Sequence, residues 1–210
     1  MLAALESLII PFVEALYTTF GYAGVVLLMT IESAAIPVPS EIVLPFAGWM
    51  VSRGLVEPLS GSPWTYGGAV VAGVAGNTLG SLLSYAVSRF GGRPLLDRYG
   101  RYLLISAHDL DVAERWFARW GELTVLFSRM LPIVRTFISV PAGVARMSLW
   151  RFVVFSIIGA IPWTMLLVWG GVVLGDHWPR IKDSLRSLDY LVAAAVLALI
   201  GLFVWRHVRR

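Results

Sequence analysis

Four side chains in this sequence carry charge where charge is costly: Glu32, Glu41, Arg129 and Arg135 each sit in a stretch otherwise apolar enough to lie within a membrane. A charge at the bilayer centre costs ~2.5–3.5 kcal/mol on insertion scales, so ionisable residues there face a protein interior or a wet cavity and mark function. Arginine stays charged at any working pH, so Arg129 and Arg135 must meet protein acids, backbone carbonyls or an anion. Two guanidinium forks with helix ends beside them suit a phosphate. The glutamates differ in kind, because a buried carboxyl can take up and release a proton as its surroundings change. The structural alternative is an ion-pair network in which the acids only neutralise the arginines. That is an expensive device, since apolar replacements of buried ion pairs are often equally stable. A switch uses the same residues better: an anion competes with glutamate for arginine, and protonation releases the pair.

The elements that must position these charges are two broken apolar stretches. Residues 31–50 read IESAAIPVPSEIVLPFAGWM, and residues 127–147 read FSRMLPIVRTFISVPAGVARM. Pro37, Pro39 and Pro132 lack an N–H and bias the preceding residue away from helix, so the backbone unwinds; at membrane depth that is tolerated only beside protein or water. Glu41 through Ala47 and Gly48 is answered by Arg135 through Ala142 and Gly143, a repeat weak in identity and opposite in charge. Proline-interrupted segments at corresponding positions of two halves point to a transporter's substrate site. Residues 42–52 are free of charge, and a helix of that length covers roughly half of a ~30 Å hydrocarbon core. A re-entrant hairpin over about 31–53 fits better than a full span, with its counterpart over about 123–148.

Composition sets the class. Hydrophobic residues make up 58% and charged residues 14%, with mean hydropathy +0.76, against about 25% charged in a soluble domain. The chain is an integral membrane protein. The net charge of +4 could suggest nucleic acid, but 16 of the 17 basic residues are arginines spread along membrane edges, where they set orientation. Without cysteine there is no disulfide, thiolate metal site or cysteine nucleophile. The opening MLAALESLIIPF lacks the basic n-region of a signal peptide.

In chain order, residues 1–19 place Glu6 and Glu14 on one helical face opposite Leu5, Leu8, Ile9, Phe12 and Leu16, which predicts an amphipathic interfacial helix. Residues 54–63 are turn-rich. Residues 64–88 form a full span with Gly73, Gly76 and Gly80 one turn apart, spacing that lets a neighbouring helix approach closely; Asn77 and Tyr85 on the same span could line a cavity. Residues 89–119 are polar, and 106–120 read as a surface helix opened by Ser106. His108, Asp109 and Asp111 have no metal-ligand spacing, so no metal or other cofactor is expected. Residues 152–175 and 190–205 are the last two spans. With both broken stretches re-entrant, eleven basic residues share one side and four the other, which places the C-terminus in the cytoplasm. A lipid phosphatase would need a nucleophile or metal cluster near the arginines, and none is present in the sequence pattern, so the reading is not an enzyme.

At these residues the chain resembles the DedA family, also described as the VTT or SNARE-associated domain family. The matching pieces are Glu32 with Pro37, Val38, Pro39, Ser40, Glu41, Ala47 and Gly48; residues 76–80 (GNTLG) with Tyr85; and Phe127, Ser128, Arg129, Pro132, Arg135, Ala142, Gly143 and Met147. They cover roughly residues 20–175. Members often carry Gly-Arg after the tyrosine, whereas here Tyr85 is followed by Ala86, Val87, Ser88 and Arg89. The spacing between the two acids varies among members. The resemblance implies an all-α integral membrane fold with inverted repeats, two opposed re-entrant hairpins and about three to four transmembrane helices. The expected layout is an amphipathic helix at 1–19, a transport core at 20–175, and a final helix and basic tail at 176–210. It further implies a multi-pass bacterial cytoplasmic-membrane protein that uses the proton-motive force to move a lipid phosphate, undecaprenyl phosphate above all. Glu32 and Glu41 would couple protons, or sodium, and Arg129 and Arg135 would hold the phosphate. The alternatives are a flippase or scramblase of phospholipids such as phosphatidylethanolamine, a small-anion transporter, and a non-transporting scaffold.

Overall fold

A computed structural model describes residues 2–34, 40–103, 107–131 and 134–175. Pro37, Pro39, Pro132, the span expected at 190–205 and the basic tail lie outside the described residues. The contacts reported below fall within one compact unit, Met1–Val173. Its helices are α1 (Leu2–Ser33), α2 (Ser40–Ser52), α3 (Tyr66–Leu103), α4 (Ala107–Ser128), α5 (Val134–Phe137), α6 (Ser139–Val144) and α7 (Leu149–Leu174). Among the described residues no strand forms; Val56 and Pro63 make an isolated bridge. Three segments are long and apolar enough to cross a membrane, Pro11–Ser33, Tyr66–Gly91 and Leu149–Leu174. The described residues are mostly helical, and the chain is a multi-pass membrane protein.

The first 19 residues and the span after them form one element, α1, interrupted at Gly21, whose backbone takes φ 55 and ψ −131. At that break the intrahelical bond of Tyr22 N–H is lost, and the Glu57 carboxylate supplies the acceptor at 3.3 Å. The other Glu57 oxygen accepts from the Ser60 N–H at 2.6 Å. Only glycine fits at position 21, because a Cβ there would occupy the space of the Glu57 carboxyl. The polar helix expected at 106–120 continues without a break into the second broken stretch, as α4.

Close packing rests on glycines. On α3, Gly76 and Gly80 lie against the Val26 and Thr30 carbonyls of α1, and Thr30 Oγ1 in turn donates to the Gly76 carbonyl at 3.2 Å. Gly48 of α2 and Gly171 of α7 face each other's neighbours, the Val168 and Pro45 carbonyls. Gly143 of α6 meets the Tyr85 carbonyl of α3, and Gly159 of α7 meets the Leu126 carbonyl of α4. In an apolar solvent there is no hydrophobic drive between helices, so such backbone proximity supplies the association by van der Waals contact.

Two buried clusters result. One joins Val13, Tyr17, Val25, Leu28, Met29, Leu44, Phe46, Trp64 and Val168; the other joins Tyr85, Val125, Ile138, Ala142 and Phe152. Meanwhile Val71, Leu79, Leu83 and Val87 of α3 and Ile158, Met165, Trp169 and Val173 of α7 point outward and exposed. These stripes match hydrocarbon tails.

Candidate functional site

Arg135 lies on the single turn α5 and is 3% exposed. Its Nη2 sits 2.6 Å from Glu32 Oε1 and 3.7 Å from Glu41 Oε1. The same nitrogen donates to Ser40 Oγ. Glu32 lies at the end of α1, and Ser40 and Glu41 begin α2. The guanidinium thus joins the end of α1 to the start of α2. The two acids are unequal: the Glu32 side chain is 8% exposed and that of Glu41 43%.

Arg129, at the end of α4, is 1% exposed and is held by neutral oxygens. Nη1 donates to the Arg135 carbonyl at 2.9 Å, and Nη2 to Ser139 Oγ and Ser156 Oγ, each at 3.1 Å. Its guanidinium lies 5.7 Å from the Phe152 ring centre, as that of Arg135 lies 5.3 Å from the Trp163 ring. A desolvated cation over a ring gains ~2 kcal/mol.

The hydrogen bonds leave specific atoms over. Among the described residues, Glu32 Oε2, Arg129 Nε, Arg135 Nε and Trp163 Nε1 are buried without a hydrogen-bond partner. A buried unpaired polar atom costs ~1–3 kcal/mol, so a ligand able to pair with these atoms gains by that order.

Sequence reasoning placed Glu32, Glu41, Arg129 and Arg135 here, and the fold brings the four together. Gly48 of α2 packs against α7, and Gly143 of α6 against α3. Asn77 is buried and donates to Ser33 Oγ at 3.0 Å, next to Glu32, with its Oδ1 unpaired. Tyr85 lies apart: its ring stacks on Phe152 at 4.6 Å and its hydroxyl donates to the Met147 carbonyl. The residues missed are Ser40, Ser139, Ser156 and Trp163. Serines beside the charged positions carried the only signal, and a serine in an apolar helix is too common to stand out.

The VTT domain family profile matches residues 38–173. The chain is 39% identical over 186 residues to undecaprenyl phosphate transporter A of Bacillus subtilis, covering 89% of this chain and 88% of that protein. It is 35% identical over 209 residues to the B. subtilis uncharacterized membrane protein YkoX, covering 100% and 89%. A Lactococcus lactis subsp. cremoris protein named alkaline phosphatase-like is 35% identical over 193 residues, covering 89% and 86%. No solved structure gives a significant match.

Proposed function

The chain belongs to the VTT domain, or DedA, family of membrane proteins, and on that premise we propose that it moves a phosphate-bearing lipid, undecaprenyl phosphate in the first instance, across the bacterial cytoplasmic membrane together with protons. The observation that carries this is the Glu32–Arg135 pair at 2.6 Å with three donors, Arg129 Nε, Arg135 Nε and Trp163 Nε1, and one acceptor, Glu32 Oε2, that have no partner among the described residues. A phosphate offers acceptors to all three donors, and a proton satisfies the leftover carboxylate oxygen.

The charge balance ties the two events together. With both glutamates ionised, Glu32 and Glu41 cancel Arg129 and Arg135, and the site has no net attraction for an anion. One proton leaves it singly positive and two leave it doubly positive, which matches a phosphate monoester in its singly and doubly charged forms. Proton and phosphate therefore favour each other's binding by equal factors. Release on the far side follows when the glutamate loses its proton and takes Arg135 back.

The architecture we propose is two re-entrant hairpins related by an inverted repeat. Support comes from lengths: the 13 residues of α2 reach ~20 Å, short of a ~30 Å core, and the segment Val134–Val144 is shorter still. The glycine contacts also cross over. The first hairpin meets α3 where Ser33 lies against Gly80, and α7 through Gly48; the second meets α7 through Gly159 and α3 through Gly143. In this arrangement the C-terminus is cytoplasmic. The role is transport rather than catalysis, and the phosphatase in the Lactococcus relative's name does not carry over to the site described here.

The test is reconstitution of the full chain in liposomes carrying undecaprenyl phosphate, with a non-permeant phosphatase outside to report arrival at the outer leaflet. Gradient-dependent arrival that fails for Glu41→Gln and Arg135→Ala supports the reading. Transport of inorganic phosphate in liposomes without the lipid would replace it with a small-anion transporter, and loss of fold without any transport in the native chain would leave the scaffold.

A further inference from the structure

A second cluster of cationic side chains lies away from the buried pair. A cleft of about 470 Å³ opens between α4 and the turn joining α6 to α7, lined by Phe117, Trp120, Leu123 and Met147 and by four charged side chains, Arg119, Glu122, Arg146 and Arg151. Its volume is within the range of ligand sites. The one acid is already engaged, since Glu122 pairs with Arg151 at 2.8 Å. Arg119 lies 5.6 Å over the Trp120 ring, which fixes its plane, and neither it nor Arg146 has an ion-pair partner among the described residues. Two positive charges therefore converge on an open, half-apolar cleft.

Arg146 is held there against its backbone preference. It is the single non-glycine residue with positive φ among the described residues, at 50°, where it closes α6: its N–H bonds the Gly143 carbonyl at 3.0 Å and the next N–H bonds Ala142 at 3.1 Å. Glycine is the usual residue at such a helix end. Trp120 in the cleft lining and Trp116 and Trp150 nearby in sequence are exposed indoles, the residue type enriched at the level of lipid headgroups. Arg129 lies nine positions after Trp120, ~14 Å along the helix axis, so this is not the buried pair seen from outside.

We propose that this cleft binds a phosphate group at the membrane surface, with Arg119 and Arg146 as its cationic ligands and Phe117, Leu123 and Met147 accepting the start of an acyl chain. The site goes beyond the transport reading and stands or falls on its own. Orientation by positive charge alone would explain arginines at this edge, but not a charge imbalance inside a cleft with one arginine in a disfavoured backbone conformation.

Native mass spectrometry of the full chain in detergent tests it, with dioleoyl phosphatidic acid, dioleoyl phosphatidylcholine and inorganic phosphate as probes. The native chain retains phosphatidic acid over phosphatidylcholine, and R119Q/R146Q lowers that retention at least fivefold with phosphatidylcholine unchanged. Competition by inorganic phosphate identifies the phosphate group as the feature read; retention of the lipid without such competition identifies a lipid headgroup with its chains. Arg146→Gly separates binding from folding: it raises the melting temperature by relieving the positive φ while weakening phosphatidic acid retention. Undiminished retention in R119Q/R146Q, or an equal loss for phosphatidylcholine, overturns the proposal whatever the transport assay gives.

Discussion

Arg135 reaches across 103 residues of sequence to place Nη2 2.6 Å from Glu32 Oε1, joining the two broken stretches through one nearly fully buried ion pair. Breaking such a pair from one side leaves a bare charge in an apolar core, which costs ~3–5 kcal/mol. Glu32→Gln and Arg135→Gln are each expected to destabilise the protein strongly, and the double variant by less than the sum, with ~1–3 kcal/mol of coupling recovered. Thermal or denaturant unfolding in detergent measures the cycle. Strict additivity would mean the contact contributes no coupling.

Arg129 makes a different demand. Its fork serves the Arg135 carbonyl, Ser139 and Ser156 at once, at 2.9, 3.1 and 3.1 Å. Lysine keeps the charge but not the planar geometry. Arg129→Lys is expected to lose ~2–3 kcal/mol of stability, as hydrogen bonds from a charged group are each worth ~1.5–3 kcal/mol. Unfolding of Arg129→Lys beside Ser139→Ala and Ser156→Ala apportions the loss.

Adjacent glycines in α7 give a steric contrast. A Cβ on Gly171 would run into the Pro45 carbonyl of α2, whereas one on Gly170 meets nothing within 4 Å. Gly171→Ala is expected to destabilise by ~1–3 kcal/mol, the range for overpacking. Gly170→Ala is expected to stabilise by up to ~1 kcal/mol through helix propensity. Melting temperatures of the two variants check the register of α2 on α7.

Glu57 gives the loop a pH dependence. Burial pushes its carboxyl up, but the hydrogen bonds it accepts from Ser60, Leu59 and Tyr22 outweigh that and hold it below the usual carboxylate range. A depressed folded value contributes stability that is complete above the unfolded value of ~4.3 and is lost as pH falls through the folded one. The native chain is thus expected to lose more stability than Glu57→Gln between neutral pH and pH ~3, measured by melting across that range. Parallel curves would remove Glu57 as the capping group of the Gly21 break.

Much of this was legible before any coordinates, for one reason: a charge in apolar sequence has few affordable explanations. Glu32, Glu41, Arg129 and Arg135 announced themselves that way, and the glycine spacing of α3 announced close helix contact. Other features have no local signature. The Gly21 break depends on Glu57, 36 residues away, and nothing near Gly21 marks it as a helix interruption. The unequal burial of the two glutamates follows from which side of the break faces Arg135, a matter of tertiary packing. The stacking of Tyr85 on Phe152 has no local signature either, because that aromatic arrives from α7. Serines at 40, 139 and 156 gain meaning only once a guanidinium is placed against them.

The central claim is that a proton on the glutamate and a phosphate on the arginines bind as one event. Proteoliposomes containing a trapped pH-sensitive dye test it most directly: undecaprenyl phosphate is added to one face and the resulting proton movement is recorded for the native chain, Glu32→Gln and Arg135→Gln. Proton movement that requires the lipid, together with lipid movement that collapses with the gradient, and loss of both in folded variants, is the predicted result. Lipid movement unaffected by the gradient, with no lipid-dependent proton flux, would contradict the claim.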